Sequence, residues 1–574
     1  MKKYLALCLL ALLFSNSIQA DERSLSQKQK AAATVLNRTS NRKNLDKAKE
    51  IVPLQTMNEL TVMGYENGEG FAIIANDDSF APVLGYSYTK FTSKDMPDGL
   101  KWWMKAMNTA LEDKVSSTNT LNIQKIIDEN GFAQSISALL TAEWGQEYPF
   151  YMKCPISATS AYPCVTGCVA TAMAQIMQYY KCPGRGVGSY SYETTLDGQP
   201  VTLSADLSNT AYNWNLMPDN YDYPTEEQIA QVAQLMYHCG VTVNTEYSTV
   251  ESVAFIEDAI RAMSENFNYS KNIQVRYRKK YSINDWIFLV MRELNAGRPI
   301  LYAGRTSSNS AHAFVVDGYD EEGLVHVNWG WTGRYNGMYD ISLLNPAGKQ
   351  YSEAQSMIIG IAPKDKENIP YYAELYIYES SLEVSLSSYL NLGSTIRMYN
   401  GSENTEHGTL AILLEGENGY LHEWTSKHTE EEGLAPWDDL LLTSTMYLPI
   451  PDNLPDGTYH VYAAFRRDGE TEWIRPRYDT DKINECVLTK HGNEYTAKGI
   501  TAYIGLEKDP TVTSLQQQVL SPEKTFDGKV YVYDFYGRCI YTTDASSFEK
   551  KDIPGNGFFL IKRGSQTEKI WKDN

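Results

Sequence analysis

Cysteine is scarce in this chain: eight residues among 574, with only Cys486 and Cys539 in the C-terminal half. The two in that half do not look like a disulfide framework. There are no Cys-x-x-Cys pairs at zinc spacing and no His-Glu-x-x-His, so neither a metal nor a cofactor is expected. Positive charge is also short. Lys and Arg total 51 against 71 Asp and Glu, a formal charge of −20. An acidic surface repels phosphate backbones, which argues against nucleic acid as a partner. Beyond the first twenty residues no apolar run is long enough to cross a bilayer, so no transmembrane segment is expected.

What remains is a globular composition, 43% hydrophobic and 21% charged. The length exceeds what one hydrophobic core serves, so several domains are expected. The 41 tyrosines, with Gly and Pro spread throughout, favour strands and turns. At the N-terminus, Lys2-Lys3 precede an apolar run from Tyr4 to Phe14 and a small, polar stretch ending at Ala20. That order predicts a signal peptide over 1–20 and a chain secreted or held at the outer cell surface. Loss of Cys8 then leaves seven cysteines, and an odd number leaves at least one thiol free unless chains are cross-linked.

Four further segments follow. Residues 21–124 open with a basic helical stretch, continue through the strand and turn of Glu69–Asp78, and include a helix over Leu100–Leu111. Polar Ser116–Asn119 reads as a linker. Residues 125–365 read as helices at 168–180, 226–238, 251–264 and 283–295, then strands at 299–304, 312–319, 324–331 and 337–342, an α+β order. Residues 366–505 are strands and turns that fit an Ig-like β-sandwich. Residues 515–574 hold short strands at 529–535 and 558–563 around Gly537-Arg538.

One helix carries chemistry. From Cys168, apolar positions 169, 172, 173, 176, 177 and 180 share a face, and Pro183-Gly184 ends the run. Cys168 therefore stands in a first helical turn, where the helix dipole favours a thiolate. Free N–H groups at the same end suit a developing oxyanion. A thiolate nucleophile needs a base, and His312 is the best placed, at the start of a strand that returns through Leu324–Trp331 as a hairpin. A five-residue loop over 319–323 would set Asn328 opposite Phe314, two residues along from His312 on the same face. There Asn328 could orient the imidazole, with Trp329 shielding the bond. His326 shares that parity and ranks second as base. Cys, His, Asn in chain order is one known solution for a thiol nucleophile.

Gly167–Met177, Ala311–Tyr319, His326–Trp331 and the approach Leu294–Ile300 together resemble the streptopain family of papain-like cysteine peptidases, over roughly residues 22–365. The resemblance implies a papain-like two-subdomain catalytic domain at 125–365, hydrolysing peptide bonds in proteins and peptides through a Cys168 thioester. It implies Gln146, in Trp144-Gly145-Gln146, as a side-chain donor to the oxyanion. Through Gly70–Asp77 and Val83–Ser87 it implies that 21–124 is an α/β propeptide that inhibits its own protease, cut off at a site for which Lys125 and nearby residues are candidates. Where the family has a glycine-rich cleft loop after Cys-Gly-Val, this chain runs Thr242–Val250 with Glu246, so its cleft is expected to differ. Val530–Arg538 and Gly555–Arg563 resemble the sorting domain of type IX secretion, which implies an export machinery as partner. Two rivals remain open on these residues: another Cys-His enzyme such as a transglutaminase or amidase, and a catalytically silent adhesin in which Cys168 is buried or disulfide-bonded.

Overall fold

The computed structural model describes residues 22–38, 50–66, 68–112, 121–305, 311–342, 355–366, most of 374–502 and parts of 529–572. The expected signal peptide, the Ser116–Asn119 linker and Gly537-Arg538 lie outside the described residues. The chain divides into two compact units, one running to Arg278 and resuming over Ile287–Asp365, the other holding Lys279–Trp286 and everything from Lys366.

In the first unit, α1 (Leu25–Leu36) is N-capped by Ser24 in a capping box with Gln27. Strands β1 (Ile51–Thr56), β2 (Leu60–Tyr65), β3 (Phe71–Ala75) and β4 (Val83–Ser87) form an antiparallel meander. Helix α2 (Asp98–Glu112) follows, then α3 (Ile123–Asn130). The next helix, α4 (Cys168–Tyr180), is buried almost all round and packs against α5 (Glu226–Thr242). A hairpin of β5 (Ser189–Leu196) and β6 (Gln199–Asp206) borders them. Strand β7 (Gln274–Tyr277) and helix α6 (Ile283–Asn295) lead to β8 (Ile300–Arg305), β9 (Ala311–Tyr319), β10 (Val325–Asn328), β11 (Gly337–Tyr339) and β12 (Gln355–Ile359).

These strands form one ten-stranded sheet in the order β1-β2-β3-β4-β11-β10-β9-β8-β12-β7. The N-terminal meander thus extends the sheet that carries His312. The junction is β4 on β11, with Gly85, Tyr86 and Ser87 opposite Tyr339, Met338 and Gly337. Sequence patterning predicts each strand but not this pairing, because partners so far apart in the chain leave no local signal. The helix expected over 251–264 begins only at Asp258. Ser252 is the reason: its hydroxyl donates to Val165 O and accepts from Ser248 N–H, and a Glu246–Val253 bridge holds the preceding chain extended.

In the second unit, strands between Leu375 and Ile500 form two three-stranded sheets and a five-stranded sheet. The period-two alternation of a half-buried strand is visible in Tyr459, Val461, Ala463 and Phe465, which share one apolar core with Leu390, Met398, Leu410 and Ile412. A separate four-stranded sheet spans Lys529–Lys572. All-β structure is as expected for both segments.

Candidate active site

Gly167 precedes α4 at φ 87°, and a Cβ there would lie 3.1 Å from Ser252 O. Glycine therefore lets the chain turn sharply into the helix and leave Cys168 at its exposed end. The thiol is half-buried and receives the N–H groups of Ala313, Val169 and Cys168 itself. Burial pushes its pKa up, and these donors pull part of the way back. His312 lines the same cleft as Cys168. Burial holds the imidazole below its ordinary pKa, against the opposing pull of Asp98 and Glu251. Both shifts favour a neutral thiol beside a neutral imidazole. The two side chains form no hydrogen bond with each other, so the thiol and the imidazole share a cleft without being coupled.

The Trp144–Gln146 loop is pinned from two sides. Trp144 N–H donates to Gln175 Oε1 on α4 (3.1 Å), and Thr332 N–H donates to Trp144 O (3.1 Å). Gln146 is half-buried in the part of the cleft shared by Cys168, His312, Trp329 and Trp331.

Asn328 requires a correction. The β9–β10 hairpin pairs Tyr319 with Val325, then shifts register between His326 and Val327, so Asn328 lies opposite Val315 rather than Phe314. It is out of step with His312 by one position. Its Nδ2 donates to Ala142 O (2.8 Å) and its Oδ1 accepts from Gly330 N–H (3.1 Å), so it braces the loop of Gly330 instead of holding the imidazole. The cause is Asp317. Its buried carboxylate accepts from Leu140 N–H (2.8 Å) and contacts His326 Nδ1 (2.6 Å), and the bulge accommodates both. His326 is thereby committed to Asp317 and does not line the cleft. Trp329 packs on Phe314 (4.8 Å between centroids) and Tyr339 (5.1 Å), an aromatic wall beside His312. Strand β10 ends at Asn328, earlier than the expected 331, where Gly330 turns at φ 67°.

The residues missed from sequence belong to the N-terminal segment. Pro97, Asp98 and Gly99, at the start of α2, line the cleft with Cys168 and Gln146. A Cβ on Gly99 would lie 2.8 Å from the Trp329 ring and 3.8 Å from His312 Cβ. One turn on, Trp102 lies on Gly304, which faces His312 across β8–β9; a Cβ on Gly304 would come within 2.2 Å of the indole. Trp103 donates from Nε1 to Asp340 O (2.7 Å). Adjacent tryptophans in an amphipathic helix are a readable signal, but not for what they cover.

The six described cysteines Cys154, Cys164, Cys168, Cys182, Cys239 and Cys486 are all free thiols. Among the described residues no His/Cys/Asp/Glu cluster suits a metal ion. No described helix is long and apolar enough to cross a membrane.

A thiol and an imidazole in one cleft, beneath a folded segment of the same chain, are the arrangement of a cysteine-type peptidase in zymogen form. The chain belongs to the peptidase C10 family, whose model matches residues 144–339, and a Spi protease inhibitor model matches 11–111. The thiol protease/hemagglutinin PrtT of Porphyromonas gingivalis is 31% identical over 431 residues, 71% of this chain. The chain spans 48% of that protein's length. Streptopain of Streptococcus pyogenes is 26% identical over 408 residues, covering 63% of this chain and all of the relative. A solved fragment of Prevotella intermedia prointerpain A is 36% identical, covers 55% of this chain and all of the fragment, and superposes with a TM-score of 0.50.

Proposed function

We propose that the chain is an exported endopeptidase that hydrolyses proteins and is kept latent by its own residues 21–124. The observation that carries this reading is the start of α2, Pro97–Gly99, lying in the cleft of Cys168 and His312. In the proposed reaction the Cys168 thiolate attacks a peptide carbonyl, and His312 protonates the leaving amine and then activates water on the thioester. The Cys168 N–H and the Gln146 amide hold the oxyanion. Trp329 shapes the wall beside the base, and Asn328 acts as a brace for that wall.

Latency follows from two features. The prosegment fills the cleft with α2, and it buries His312 and Cys168 in their neutral forms. Cleavage near Lys125 would need α3 to open first, because Asn122 Oδ1 caps that helix at Lys125 N–H (2.9 Å). Residues 125–365 form the proposed catalytic domain. Residues 366–505 are read as a spacer or adhesion module, and 515–574 as a sorting domain for outer-surface export. The signal peptide over 1–20 completes that route.

The test is expression of wild type and Cys168→Ala, following the N-terminal segment of ~12 kDa, a usual domain size. Wild type sheds it and cleaves a protein substrate; Cys168→Ala does neither. Equal maturation of both purified proteins rules out autoprocessing. Added amines leave the products unchanged, whereas a transglutaminase would incorporate them.

A further inference from the structure

Beside Cys168 the cleft deepens into a pocket whose walls include Val169, Ala303, Gly304 and Ala313, and which also holds Glu257 and Tyr277. Strand register locates Tyr277, the partner of the acid. His312 faces Gly304 across β8–β9, Gly304 faces Gln355 across β8–β12, and the adjacent Ser356 faces Tyr277 across β12–β7. Tyr277 is thus three strand spacings from His312, roughly 14 Å at about 4.8 Å per strand. Its hydroxyl donates to Glu257 Oε1 (3.1 Å). The carboxylate is thereby tied to strand β7 where it lines the pocket. Among the described residues no Lys or Arg pairs with Glu257. None lines the pocket or the adjoining cleft either, where Glu147 and Glu251 add negative charge.

Apolar walls leading to an unneutralised carboxylate match a side chain with an aliphatic stem and a cationic head. Three strand spacings separate Tyr277 from His312, so the proposed occupant is a residue beside the scissile bond rather than at it. A long side chain one or two residues away reaches that far, since an extended chain advances about 3.4 Å per residue. We infer that this pocket selects an arginine or lysine near the scissile bond of the substrate, with Glu257 as the specificity-determining residue. The inference rests on the peptidase reading above and names its substrate class.

The experiment uses enzyme matured from the full-length chain and peptide mixtures varied at each position flanking the scissile bond. At the selected position arginine is then compared with citrulline, its uncharged isostere, in wild type and Glu257→Gln. Glutamine keeps an oxygen for the Tyr277 hydroxyl, so the variant removes charge and preserves shape; its melting temperature checks the fold. The expected result is a kcat/KM ratio of arginine over citrulline of about tenfold or more in wild type, falling to about twofold or less in Glu257→Gln. KM for the arginine peptide rises with salt. A wild type indifferent to charge, or a preference that survives in Glu257→Gln, overturns the inference alone. Failure of wild type to cleave any peptide beyond the Cys168→Ala background overturns the peptidase reading and the inference with it.

Discussion

Cys168 and His312 illustrate how burial sets the state of a thiol–imidazole pair. Each loses its charged form to desolvation, the thiol moving up and the imidazole down. Part of that burial comes from Gly99 and its neighbours, which would leave with the prosegment under the proposed maturation. The thiol pKa is then expected to fall and the imidazole pKa to rise, toward a thiolate–imidazolium pair. Pulsed iodoacetamide labelling at pH 7, read at the Cys168 peptide, is expected to run about tenfold or more slower in freshly purified full-length chain than in the matured product, since one pKa unit changes the thiolate fraction about tenfold. Equal rates would sink the account. At this scale Cys168 was legible because a helix start is a local pattern. Asn328 was misjudged because its facing depends on one bulge beside Asp317, whose partners Leu140 and His326 come from elsewhere in the chain.

Helix α2 is the element on which the proposed latency turns. Its buried residues Leu100, Trp103, Met104, Met107 and Leu111 follow the helical repeat, while Lys101 and Lys105 face solvent. Trp102 adds a second contact, lying on the glycine that faces the base. Truncating a buried tryptophan costs about 3–5 kcal/mol. Trp102→Ala is expected to shorten the lifetime of the full-length chain on a gel time course, whereas Lys105→Ala matures at the wild-type rate. If Trp102→Ala matures no faster, α2 is not the lock. The β4–β11 junction supplies the other anchor by strand addition, with Tyr86 Oη reaching Asp320 Oδ2 (3.1 Å). The helix and each strand were readable from periodicity. Their joint use as a cover was not, because it depends on an edge strand from the far side of the chain.

Across the first unit, one buried carboxylate ties α6 to the chain after β12. Glu293 is desolvated by burial, yet Arg298 (2.6 Å) and Arg292 (3.2 Å), with Gly360 N–H (3.0 Å), bring its pKa down to about 2. A carboxylate depressed in the folded state stabilises above its unfolded pKa and loses that contribution as pH falls through the folded value. The window runs from about pH 4.5 down to about 2. Roughly 3 kcal/mol is at stake, at 1.36 kcal/mol per pKa unit. Thermal melts of the Cys168→Ala chain should show stability falling across that window. Glu293→Gln is expected to melt lower at neutral pH, because both arginines lose this carboxylate, and to show a flatter acid dependence. An unchanged acid profile would remove Glu293 from the account.

The sequence by itself determined the α+β character of 125–365, the β-rich C-terminal half, and the placing of Cys168 at a helix start and His312 at a strand start. Each is written in local periodicity, in turn residues or in a short motif. Only the tertiary structure decided what covers that pair, which face Asn328 takes and that Glu257 lines the same pocket as His312. Those follow from strand order and register, which bring together residues far apart in sequence and can be displaced by a single bulge.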